Sequence, residues 1–145
     1  MVADINLDIL RPIFPLKILT VLGLDDSTLG GAVKRVAEPM SIRIQPDPEP
    51  LRNLMRRSDQ LNFMQIGVPA VAFVFGYEKG SEEERVYRRW YAESYHAPGD
   101  DLRQPWDPPA AAKFNEFFYR LVETLADSDA RTRWNAGNAF GHTAQ

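Results

Sequence analysis

Cysteine is missing from this chain of 145 residues, and histidine occurs only twice. Without thiols there is no disulfide framework and no thiolate metal site, so a metal would have to be held by carboxylate and imidazole. A chain without Cys is compatible with any compartment. No apolar run approaches the roughly 20 residues that a membrane-spanning helix takes. Lys and Arg form no long cluster and the net charge is −3, so nucleic-acid binding has no electrostatic footprint here. Met1 is followed at once by Val-Ala-Asp-Ile-Asn, which has neither the basic nor the apolar region of a signal peptide. Repeats and low-complexity segments are also absent.

What is present has the balance of a soluble globular protein, with 44% hydrophobic and 26% charged residues. The length suits one domain with a real core and is too short for two. Val2 to Ile9 alternates as a strand, and Lys17 to Gly23 reads as a second strand, rich in branched residues. Two prolines keep the connection between them, Arg11 to Pro15, out of helix. Ser27 is placed to cap a helix from about Thr28 to Glu38. Ser41 to Gln45 reads as a short strand, followed by a stiff Pro-Asp-Pro-Glu-Pro link and by helical turns over 51–56 and 60–66. Pro69 to Gly76 is a continuous apolar run bounded by Pro and Gly, the pattern of a buried strand. Glu82 to Ala92 reads as a helix with acids first and arginines later, as its dipole prefers. Asp107-Pro108-Pro109 opens a last helix to about Asp127, whose stripe of Ala111, Phe114, Phe117, Phe118, Leu121, Val122 and Leu125 should pack on a sheet. The tail from about residue 129 is polar apart from Trp134 and Phe140 and is expected to be partly mobile. Strands alternating with helices predict an α/β three-layer sandwich with a mostly parallel or mixed sheet.

Ligands gather at the carboxyl ends of strands in such sheets, which points to Asp8 and to the loop after Phe75. The richest stretch is Tyr95-His96-Ala97-Pro98-Gly99-Asp100, an imidazole beside a Pro-Gly turn and between a tyrosine and an acid. Asp8, Asp59 and His96 are the groups that a zinc ion would choose among. Tyr95 could donate to a developing oxyanion, and Arg57 could hold a carboxylate. Structural readings compete with each of these. Asp8 can be a strand-end cap, and Ser58-Asp59 an ordinary helix N-cap pair. Glu82, Glu83 and Glu84 read as a solvated first turn rather than a catalytic pair, and His142 as a tail residue. Trp90, Tyr91 and Trp106 can line a pocket or fill the core.

Four segments in order resemble the C-terminal half of the di-zinc aminopeptidases, the co-catalytic zinc exopeptidases to which glutamate carboxypeptidase, glutaminyl cyclase and the transferrin receptor are related. They are Asn6-Leu7-Asp8-Ile9, Arg57-Ser58-Asp59-Gln60 with Phe63, Gly67-Val68-Pro69-Ala70, and the segment from Tyr95 to Asp100. The resemblance implies a zinc-exopeptidase-like fold and hydrolysis of N-terminal residues from a peptide substrate by metal-activated water. It implies that Asp8 binds one zinc ion and faces the substrate's amino terminus, and that His96 binds the other. Tyr95 matches a catalytic tyrosine that polarises the scissile carbonyl, and Arg57 a substrate contact. Ser58, Asp59 and Asp100 match supporting rather than ligating positions. Gln60 departs from the His or Tyr often found after Ser-Asp.

The family's upstream His-x-Asp, bridging Asp and Glu-Glu pair have no counterpart here. The chain opens inside an apparent strand, so residues 1–145 are expected to be the C-terminal portion of a larger peptidase domain, with Met1 an added start. Such a fragment is expected to be inactive and to self-associate through its truncated face. The compartment stays open, export of the parent to the periplasm or medium being compatible. The alternative is a receptor-like, non-catalytic binding domain on the same fold, and a glutaminyl cyclase is a third reading.

Overall fold

A computed structural model describes residues 2–141. Four strands form one mixed sheet: β1 (Asp4–Asn6), β2 (Ile18–Leu22), β3 (Arg43–Pro46) and β4 (Ala70–Gly76), in the order β1-β4-β2-β3. β1 runs parallel to β4 and β2 parallel to β3, while β2 and β4 are antiparallel. The helices are α1 (Leu29–Ala37), α2 (Gln60–Gln65), α3 (Glu82–Glu93) and α4 (Pro108–Ala126). Single 3-10 turns cover Pro50–Arg52 and Leu54–Arg56. The α/β class with a mixed sheet flanked by helices is therefore observed.

The two central strands are the most apolar segments of the chain. Every residue of β2 and β4 is buried, because helices or turns cover both faces. The pairing of Leu19 with Phe75 and of Val21 with Phe73 puts these side chains on one face. α4 covers that face, with Phe73 edge-on to Phe114 (centroids 6.1 Å apart) and to Phe117 (5.6 Å). Such pairs contribute roughly 0.5–1.5 kcal/mol beyond burial. Along α4 the buried positions are Ala110, Phe114, Phe117 and Leu121, whereas Val122 is exposed. The apolar stripe is thus narrower than its sequence pattern.

Edge strand β1 spans only three residues, shorter than the predicted Val2–Ile9, and β3 ends in Pro46 at the opposite edge. Ser27 acts near the start of α1, where its Oγ accepts from the Leu29 N–H at 3.3 Å. Gly30 lets this helix approach the preceding loop, since a Cβ there would lie 1.8 Å from the Leu24 carbonyl oxygen. Asp107 caps α4 by accepting from the Ala110 N–H at 2.9 Å. The acids at the start of α3 have partners rather than a catalytic geometry: Glu83 pairs with Lys17, Glu82 with Arg85 and Glu84 with Arg88.

Residues 133–135 run beside the start of α1. The Thr28 N–H donates to the Arg133 carbonyl and the Asn135 N–H to that of Asp26, both at 2.9 Å. The Trp134 indole donates to the Gly67 carbonyl at 2.9 Å. His142 lies outside the described residues.

Candidate active site

The other face of the sheet holds the site. In the parallel β1–β4 register Asn6 lies beside Ala72, so Asn6 projects to the face opposite Phe73. There a cleft of about 310 Å³ opens, lined by Asp8, Arg57, Ser58, Tyr91, Tyr95 and His96 around an apolar wall of Ile9, Leu22, Leu54, Ala72 and Val74. Five of the residues singled out from sequence, Asp8, Arg57, Ser58, Tyr95 and His96, thus reach one cavity from three separate parts of the chain.

Asp8 follows β1 by two residues and is exposed to the cleft. Its Oδ2 accepts a hydrogen bond from the Ser58 hydroxyl. Ser58 in turn accepts from Asn6 Nδ2 at 3.1 Å, and the same amide donates to Gln60 Oε1 at 2.6 Å. Gln60, only 1% exposed, donates to the carbonyls of Leu54 (3.3 Å) and Met55 (3.2 Å). Every donor in this network has one direction. The Gln60 amide points at two carbonyls, which leaves its oxygen for Asn6, and Asn6 then has a proton for Ser58, whose own proton goes to Asp8. A satisfied chain of this kind, running from buried Gln60 to the surface, orients a carboxylate at the cleft.

Tyr95 and His96 arrive from the end of α3. Tyr87, Tyr91 and Tyr95 recur every four residues, and Tyr91 stacks on Tyr95 with centroids 4.7 Å apart. The imidazole of His96 stacks on the Tyr95 ring at 4.0 Å. The Arg52 guanidinium lies 4.7 Å from the centre of the Tyr91 ring. His96 has φ +56°, a left-handed conformation uncommon outside glycine, and its N–H donates to Asp100 Oδ2 at 3.3 Å. Burial first, then Tyr91 and the Asp8 carboxylate, hold the Tyr95 phenol above its ordinary pKa. The shift extends the range over which the hydroxyl stays a donor further into alkaline pH.

Asp59, expected in a supporting position, and the loop after Phe75 both lie outside the cleft lining. The Asp59 charge acts on Asp4, where burial first and Asp59 second raise the carboxyl pKa. Asn6 at the end of β1 pairs with Ala72, and β4 runs on to Gly76, so the mid-strand residues Ala72 and Val74 line the cleft. Of the aromatics near His96, Tyr91 lines the cleft, Trp90 is buried, and Trp106 is exposed beneath Arg11. Sequence reasoning missed the anchoring role of Gln60. Its one available signal was a polar amide at the start of a helix, where the family more often has His or Tyr.

The model of Peptidase family M28 matches residues 1–122. The chain belongs to peptidase family M28. No curated protein and no solved structure matches it. The M28 match spans every segment that lines the cleft, from β1 through the His96 loop. M28 peptidases are hydrolases and are generally zinc-dependent, so the donor set was tested against that metal. A catalytic zinc takes about three protein ligands. Among the described residues no group of three or more His, Cys, Asp or Glu side chains converges, and Asp8 and His96 are the cleft's only residues of these types. The described residues therefore do not make up a complete zinc site.

Proposed function

We propose that this cleft is the part of a metallo-aminopeptidase centre that the chain supplies. Asp8 and His96 would each face a different zinc ion, with Asp8 also meeting the substrate's amino terminus. Tyr95 would donate to the scissile carbonyl oxygen, and Arg57 would bind a peptide carboxylate. Ser58 supports the orientation of Asp8, and Asp100 that of His96. The observation behind this reading is the convergence of Asp8, Arg57, Tyr95 and His96 on a single cleft. Asp59 is proposed to act in a supporting role beside Ser58.

The remaining zinc ligands and the general base are not among these residues. The isolated chain is therefore proposed to bind zinc weakly and to lack peptidase activity. An aminopeptidase assay on this chain with added zinc tests the proposal, and robust turnover would refute it. Self-association is proposed at the open edge of the short strand β1, beside exposed Val2 and Leu7. Sedimentation velocity should show a dimer growing with concentration, and a clean monomer at high concentration would contradict it. No helix among the described residues is long and apolar enough to cross a membrane.

A further inference from the structure

The loop that presents His96 is fastened to the core by a residue outside every motif considered so far. The indole N–H of Trp90, buried on α3, donates to Gln104 Oε1 at 2.5 Å. The Gln104 amide nitrogen donates to Asp100 Oδ1, and the second Asp100 oxygen accepts from the His96 main-chain N–H. The direction of each bond is forced. An indole only donates, so the Gln104 oxygen must face it, and the Gln104 NH₂ then meets a carboxylate that only accepts. With both its oxygens occupied, Asp100 grips the backbone of a residue held at φ +56°. The ring of His96 has no comparable polar clasp and rests on the stacked face of Tyr95.

We propose that Gln104 is a positioning residue for His96: it ties Asp100 to the buried Trp90 indole and so keeps the His96 backbone in its left-handed conformation and its ring on Tyr95. The importance of this device rests on the reading of His96 as a site residue. The device itself is measurable with neither substrate nor metal, so failure of the peptidase reading and failure of the clasp are separate results.

The test is a polarity reversal. Gln104→Glu places two carboxylates face to face while leaving the Trp90 indole an acceptor. Exchange of the His96 amide proton should accelerate about tenfold, as for loss of a hydrogen bond to a charged acceptor. The nuclear Overhauser contact between the rings of Tyr95 and His96 should weaken. Amides within α4 should keep their protection, which a general loss of stability would not allow. Adding Asp100→Asn to Gln104→Glu should restore the original exchange rate. The amide at 100 then donates to the carboxylate at 104 and still accepts from His96. Unchanged exchange in Gln104→Glu, or no recovery in the double variant, would overturn the proposal. If Gln104→Glu unfolds the domain, Gln104→Met gives the same readout: faster exchange at His96 is expected, and unchanged exchange overturns it.

Discussion

Replacing Gln60 by leucine tests whether the carboxylate of Asp8 is held from the core outward. Gln60 is 1% exposed and makes three well-placed amide bonds, two to carbonyls and one from Asn6. Each such bond stabilises by about 1 kcal/mol net, and a buried group left without a partner costs about 1–3 kcal/mol. Leucine recovers part of this through its own burial, about 1.5–3 kcal/mol at most. The balance is a loss of about 2–4 kcal/mol. For a domain of this size that corresponds to a fall in melting temperature of about 5–12 °C. Urea denaturation of Gln60→Leu and of Ser58→Ala in parallel gives the comparison. Ser58 sits at the outer end of the network, so its truncation should cost less than Gln60→Leu. A loss below about 0.5 kcal/mol for Gln60→Leu, the range of surface substitutions, would mean that Gln60 does not anchor the network.

Three further outcomes follow from particular environments. Burial, opposed by Arg52, raises the Tyr87 phenol far above its ordinary value of 10.0. The unfolded chain then loses this proton first, so stability should fall as pH rises above about 10, and Tyr87→Phe should flatten that limb in urea titrations. Asp4 carries a carboxyl raised by burial and by Asp59, with a buried Oδ2 that has no hydrogen-bond partner. Its charge opposes folding above the ordinary carboxylate range, so Asp4→Asn should raise the urea midpoint at pH 7, with the gain shrinking towards pH 3. Gly30→Ala should lower the melting temperature, because its Cβ would meet the Leu24 carbonyl at 1.8 Å; an unchanged melting curve would show that the loop yields freely.

The elements of the fold were largely legible because each had a local cause. β4 reads as an unbroken apolar run and is buried along its whole length, and α3 and α4 begin within a residue of their predicted starts. β1 was overpredicted: alternation continues to Ile9, but its partner β4 pairs only with Asp4 to Asn6, and backbone pairing sets strand length. At the site, Asp8, Arg57, Ser58, Tyr95 and His96 were legible as chemistry-bearing types in turns. Ser58 and Asp59 were read as a supporting pair through the family resemblance, and of the two Ser58 lines the cleft. The two glutamines were not legible. Gln60 acts across 54 residues on Asn6, and Gln104 across 14 on Trp90. Separations of that kind leave no periodicity or turn signature in a single sequence.

Asp8 and His96 line the same cleft and are proposed to meet different metal ions there. Titrating the chain with zinc while following the side-chain carboxyl of Asp8 and the imidazole of His96 by nuclear magnetic resonance tests this proposal most directly. Both signals, and that of Tyr95 beside them, should move together, with an affinity far below the roughly 10–16 kcal/mol of a complete structural zinc site. Movement confined to the exposed acids of α3, with Asp8 and His96 unaffected, would show that these two side chains are not metal-binding groups.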